Sequence, residues 1–266
     1  MLRVFRGKEP SSFPATRAGE LARVRSIRAS RPLTSSDFGS AYREVLEHLW
    51  RAQHFKCCYC DQVQQMAFVP VEHFRPKTEA DRSPGSGETE GYWWLCWTWE
   101  NLLFSCVTCN GKKGTRFPLG TSQVLAPESS PPGPESALLL DPATDDPSEH
   151  LHFVEVSGQW CLVANEGSDK GAHTLEVLRF SMRQDLRTIH NAHVSKMVLP
   201  LVASISDAIA REDSAAVIYA WNHAVNFLLA PTQPFIALSR AALIYYVAED
   251  SRNRWGLFLP PPPKAP

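Results

Sequence analysis

Cys57-Cys58-Tyr59-Cys60, Val71-Glu72-His73 and Cys106-Val107-Thr108-Cys109-Asn110-Gly111-Lys112-Lys113 share one stretch, residues 57–113, around which the rest of the chain is arranged. The two Cys-x-x-Cys pairs, Cys57/Cys60 and Cys106/Cys109, supply four thiolates, which close a tetrahedral zinc site with no open position, so the metal they imply is structural. The chemistry then belongs to what lies between them. Phe68-Val-Pro-Val-Glu-His-Phe74 alternates like a strand that Arg75-Pro76-Lys77 ends, which puts His73 at a strand end. Neighbours on a strand alternate faces, so Glu72 and His73 are expected to point to opposite sides unless the strand end frays.

The pattern resembles the HNH nucleases, the ββα-metal family. Val71-Glu72-His73, then Glu100-Asn101-Leu102-Leu103, then Cys106-Val-Thr-Cys109-Asn110-Gly-Lys-Lys113-Gly114 stand in the order of that family's motif positions. The resemblance implies an α+β fold: a zinc-stapled ββα-metal core with an N-terminal helix and a mostly helical C-terminal region. It also implies phosphodiester hydrolysis at a single-metal site. Glu72 and Asn110 offer hard oxygen ligands suited to Mg²⁺ or Mn²⁺. His73 is the expected general base in its neutral form. By resemblance Asn101 hydrogen-bonds across the loop and supports the hairpin. Lys113, Lys112, Arg75 and Lys77 are candidate phosphate contacts, of which Lys113 alone occupies a family position; the bland alternative is a solvated face. Glu72 stands where many HNH enzymes carry Asp, which moves the carboxylate by about one C–C bond, ~1.5 Å.

The 266-residue chain carries a formal net charge of −1, so nothing global draws it to nucleic acid and any such contact is local or supplied by a partner. Seven cysteines, four in metal spacing, fit a reducing compartment better than a disulfide framework. Met1–Pro10 has no apolar leader, and Pro200, Asn222, His223, Asn226 and Pro231 interrupt the apolar C-terminal stretches. The expectation is a cytoplasmic protein without a membrane span. No phosphate-cradling Gly-rich loop is present, so any use of ATP belongs to a partner.

Outward from the motif, residues 1–31 hold Arg3, Arg6, Lys8, Arg17, Arg23, Arg25, Arg28 and Arg31 against Glu9 and Glu20, a basic arm that is either solvated or phosphate-contacting. The apolar stripe from Phe38 to Trp50 predicts an amphipathic helix. The run Tyr92-Trp93-Trp94-Leu95-Cys96-Trp97-Thr98-Trp99 reads as core packing rather than a base-stacking platform. The expected division is a nuclease domain 1–124 with its arm and lead-in helix, a Pro-rich linker 125–136, a hairpin plus helices 137–259 and a disordered tail 260–266. The hairpin is expected at 152–156 and 160–164. Helices are expected near 171–180, 182–210, 214–229 and 233–248. The last two carry more apolar residues than one buried stripe needs, which reads either as a docking face for a partner or as full burial in a self-contained bundle.

The resemblance narrows to the PtuB-type HNH proteins, nuclease subunits of Septu anti-phage systems that also occur with some retrons. Cys57-Cys-Tyr-Cys60, Val71-Glu-His-Phe-Arg-Pro-Lys77, Tyr92-Trp-Trp-Leu95, Phe117-Pro-Leu119 and Leu140-Asp-Pro142 carry it. It implies a nucleic-acid substrate, DNA first, and an ATPase partner of the PtuA type. Two alternatives remain: a non-catalytic zinc-stapled binding module for nucleic acid or protein, and a stand-alone restriction-type HNH nuclease.

Overall fold

The structure is a computed structural model and describes residues 3–67, 69–82, 90–120 and 135–261. Among the described residues it is mixed, with many helices and two small antiparallel sheets. Val71–His73 (β1) pairs with Leu102–Phe104 (β2), with Val71 opposite Phe104, Glu72 opposite Leu103 and His73 opposite Leu102. Val107–Lys113 (α3) follows β2 directly. Its first turn is capped by Cys106 Sγ, which accepts from Cys109 N at 3.3 Å, and it ends at Gly114, whose φ of +53° disfavours a side chain.

This hairpin is the wall between two apolar clusters. Strand alternation sends Val71, Leu102 and Phe104 into a cluster with Phe13, Phe38, Leu49 and Trp97. Leu103, from the opposite face of β2, joins the cysteine knuckle, Tyr92 and Phe117 in a second cluster. That second cluster continues without a break into the C-terminal helices through Val198, Trp221 and Leu243.

The basic arm is a helix, Phe13–Arg28 (α1), anchored by buried Phe13 and Val24. Its arginines are largely paired: Arg17 with Glu9, Arg23 with Glu20, and Arg31, just beyond it, with Asp37, each at 2.6 Å. The expected helix at 38–50 is a broken one. Tight 3-10 turns at Ser35–Phe38 and Ala41–Val45 precede Leu46–Ala52 (α2), separated by Gly39 with φ +53°. Phe38, Val45 and Leu49 are still buried as the stripe requires.

In the second half, Leu151–Val156 (β3) pairs with Gln159–Ala164 (β4) through a turn at Ser157 and Gly158, whose φ of +52° and +80° match a primed hairpin turn. Asp169–Val177 (α4), Gln184–His193 (α5), Leu199–Ala210 (α6), Ser214–Leu228 (α7), Ile236–Tyr246 (α8) and Glu249–Trp255 (α9) follow. A π-helical turn, Val194–Val198, joins α5 to α6, and Pro200 falls in the first turn of α6. By length and composition the run Gln184–Ala210 is apolar enough to cross a bilayer; here α5 packs on β4 and α6 on α7. Residues 121–134, most of the expected linker, and 262–266 of the expected tail lie outside the described residues.

Candidate active site and cysteine cluster

The four sulfurs of Cys57, Cys60, Cys106 and Cys109 lie within 4.8 Å of one another, all buried. Cys60 Sγ and Cys106 Sγ are 3.9 Å apart. A tetrahedral site with zinc–sulfur bonds of ~2.3 Å has edges of about 3.8 Å, so the donor set and its spacing suit zinc. The cluster could hold such a metal, and its surroundings tie it to both halves of the chain. Cys58 N donates to Phe104 O at 3.1 Å, fixing the knuckle to β2. On the other side Lys56 and Asp61 form a buried ion pair at 3.1 Å. Lys56 Nζ also donates to Gln233 O at 2.9 Å, and Asp61 Oδ2 accepts from Ile236 N at 3.1 Å at the start of α8.

Glu72 points to the cysteine side of the hairpin and is 2% exposed. Its Oε2 accepts from Asn110 Nδ2 at 2.5 Å, and its Oε1 faces Lys113 Nζ at 2.8 Å and accepts from Tyr59 OH at 3.3 Å. Lys113, also buried, donates as well to His73 O at 2.9 Å. A carboxylate and an ammonium taken out of water together are tolerable only as a well-bonded pair, and this one has hydrogen bonds to spare. Asn110, on α3, is half-buried.

The His73 ring lies on the other face, as strand alternation dictates. Its Nε2 is 2.9 Å from Cys96 O, and Tyr42 meets the ring edge-on at 4.8 Å between centroids. Burial holds the imidazole well below its ordinary pKa, and the charge of Lys77 adds to that, against the opposing hydrogen bond to Cys96. Among the described residues the ring shares no hydrogen bond with Glu72 or Asn110. Asn101 ties the loop together: its Oδ1 accepts from Arg75 N at 2.7 Å and its Nδ2 donates to Arg75 O at 3.0 Å and Leu95 O at 3.1 Å. Gly91 lets the following segment approach, because a Cβ there would meet the Lys77 and Thr78 backbone at 2.6 Å.

Two of the expected phosphate contacts need correction. Arg75 is 5% exposed, paired with Glu135 at 3.0 Å and lying over the rings of Phe74 and Phe117. Lys113 is 1% exposed and committed to Glu72. Neither stands on a solvated face. Lys112 and Lys77 are half-buried, with Lys77 Nζ 4.3 Å from the centre of the Tyr42 ring. Sequence reasoning did not assign Tyr59, Tyr42 or the Cys96 carbonyl. Tyr59 sits inside the first cysteine pair, a visible signal, whereas a backbone carbonyl leaves none.

Part of the chain is similar to curated proteins. It is 36% identical over 132 residues to a "Septu protein PtuB" of Bacillus mycoides (strain KBAB4), covering 48% of this chain and 44% of the other. The chain is related to the PtuB-type defence proteins. A second Septu protein PtuB, from Bacillus thuringiensis, is 33% identical over 129 residues, 47% of this chain and 37% of its own. A protein of Vibrio cholerae serotype O1 biovar El Tor named "Retron Vc95 putative HNH endonuclease" is 27% identical over 108 residues, 41% of this chain and 48% of its own. This chain therefore spans about half the length, or less, of the PtuB and retron relatives it matches. No protein-family model matches it, and no solved structure does.

Proposed function

We propose that the chain is an HNH endonuclease, a metal-dependent phosphodiesterase whose ββα-metal core is β1, β2 and α3, stapled by structural Zn²⁺ on Cys57, Cys60, Cys106 and Cys109. The observation that carries this reading is the hydrogen bond between His73 Nε2 and Cys96 O. A carbonyl only accepts, so the ring proton sits on Nε2 and Nδ1 keeps its lone pair. Burial keeps the ring neutral, the form a general base requires. His73 thus takes a proton from water at Nδ1, with the imidazole aligned by Cys96 and Tyr42.

Glu72 and Asn110 would hold the catalytic Mg²⁺ or Mn²⁺. Lys113 and Tyr59 engage Oε1, while Oε2 accepts from Asn110 Nδ2, so a hard cation would replace that bond and take Glu72 Oε2 together with Asn110 Oδ1 after the amide turns. When bound, such an ion supplies positive charge to the phosphate oxygens that gather charge during displacement. Lys113 holds Glu72 and the His73 carbonyl in one frame, and Asn101 positions the turn after His73. Lys112 and Lys77 contact phosphates. The substrate is DNA, read through its backbone with little sequence preference. The chain works in the cytoplasm as the nuclease of an anti-phage assembly with a PtuA-type ATPase, its nuclease half 1–124 and its helical half 137–259.

One observation favours a zinc-stapled binding module instead: Lys113 already neutralises Glu72. Incubation of the purified chain, alone and with its ATPase, with supercoiled plasmid, single-stranded DNA and RNA separates the two. The nuclease reading expects nicking or cutting of DNA only when Mg²⁺ or Mn²⁺ is added, at unchanged zinc content. Binding without cleavage in every arm contradicts it.

A further inference from the structure

The two edges of the β3–β4 hairpin are treated differently. Asn165 N donates to His150 O, so the alternation of an antiparallel ladder makes 152, 154 and 156 the hydrogen-bonded positions of β3 and turns the N–H and C=O of 151, 153 and 155 outward. The same alternation turns Trp160 N outward on β4, and there Asn191 Oδ1 of α5 accepts from it at 2.9 Å. On the β4 edge α5 thus takes one of the outward groups. On the β3 edge no described residue bonds the outward backbone groups of Leu151, Phe153 or Glu155.

That open edge lines a cleft of 680 Å³. β3 contributes the five consecutive residues 151–155, where a face alone would contribute every second one, and Trp160 and Leu162 add the β4 side of the face that carries Phe153 and Glu155. Val4 and Phe5 line it too, with Ala237, Ala241 and Ile244 along one face of α8. The charges in it are largely satisfied from within: Lys56 pairs with Asp61, Glu155 accepts from Tyr245 OH at 2.9 Å, and Arg240 donates to Pro260 O.

We propose that this cleft binds an extended peptide of a partner protein, which adds to β3 as a third strand. Backbone groups of 151, 153 and 155 hold the peptide main chain, and the apolar lining takes its side chains at alternate positions. A single strand is the occupant that matches. The open backbone groups ask for another backbone, and the concave apolar lining takes one chain where a second folded copy would need a protruding edge. The cleft does not include Glu72, His73 or Asn110, so the assignment is independent of the nuclease reading.

The test is selection from a displayed library of eight-residue peptides against the full-length, zinc-loaded protein, followed by amide hydrogen exchange with the best synthetic peptide. Slowed exchange at Leu151, Phe153 and Glu155 is expected. Glu155→Pro, which removes an outward N–H and leaves the inner ladder intact, should weaken binding roughly tenfold, while Glu155→Ala keeps the N–H and stays within about twofold of wild type. Ile244→Lys should abolish binding, with melting behaviour checked for each variant. Three results overturn the proposal: no enriched peptide, a peptide indifferent to both Glu155→Pro and Ile244→Lys, or protection of the β3 amides by the protein alone that grows with its concentration. The last would make a second copy the occupant.

Discussion

In the β1–β2 hairpin every strand position is buried, and two neighbouring positions, Glu72 and His73, are ionisable. In the β3–β4 hairpin, buried Leu151, Phe153 and Trp160 interleave with exposed or half-exposed positions, and the buried side chains are apolar. The second follows the ordinary logic of a sheet with one covered face. The first does not, because burying a carboxylate and an imidazole costs free energy that packing alone does not return. The cost is offset locally, by Lys113, Asn110 and Tyr59 on Glu72 and by Cys96 on His73. Contacts committed in this way to one hairpin and not to the other support placing the proposed chemistry at the first.

The comparison would break first at the cysteine cluster. If its metal organises both hairpins, through Cys58 to β2 and through Lys56 and Asp61 to α8, Cys106→Ser should cost on the order of 10 kcal/mol of apparent folding free energy, the scale of structural zinc binding. Far-ultraviolet circular dichroism and zinc analysis check it. Well-folded Cys106→Ser protein without zinc would show that the hydrophobic clusters suffice. A smaller loss is expected at Lys113. Lys113→Met leaves Glu72 buried without its cation, and denaturant unfolding should show a loss of about 3–5 kcal/mol. Melting close to wild type would contradict the role given to the pair.

The smallest effect sharpens the other side of the comparison. His190, packed edge-on against Phe153 and Phe235, is held neutral by burial, its pKa down to about 3. An unfolded histidine protonates below about 6.5, so between these values the unfolded state binds the extra proton. Stability should therefore be intact above pH 6.5 and fall as the pH drops toward 3, by roughly 1.4 kcal/mol per pH unit from this one group. In His190→Phe the slope of stability against pH between 6 and 4 should flatten by that amount. An unchanged slope would place the acid sensitivity elsewhere.

How much of this could be read from the sequence depended on how local the signal was. The cysteine cluster was legible because four thiolates on one metal demand a fixed spacing, and the opposite faces of Glu72 and His73 because a strand alternates. The β3–β4 hairpin was legible from Ser157-Gly158, and the C-terminal helices from their apolar period and from Pro231. What escaped was long-range pairing. Arg75 and Lys113 read as surface charge because their partners, Glu135 and Glu72, are distant in the chain. Helix α1 was hidden by its arginines, whose carboxylate partners turn a basic arm into a packed element, although Phe13 and Val24 were there to be seen. The broken turns before α2 escaped for the opposite reason: the apolar stripe is right, but Gly39 interrupts the helix that would carry it.

The central claim is that His73 acts on water rather than in the core, and the most direct measurement compares wild type with His73→Ala. Plasmid cleavage is followed in Mg²⁺ and Mn²⁺, together with zinc content and melting temperature of the same preparations. The account predicts cleavage reduced by at least about a hundredfold, the scale of a lost general base, with zinc retained and a cooperative melting transition lowered only by what the unpaired Cys96 carbonyl costs, about 1–3 kcal/mol. Cleavage by well-folded His73→Ala at the wild-type rate would contradict it.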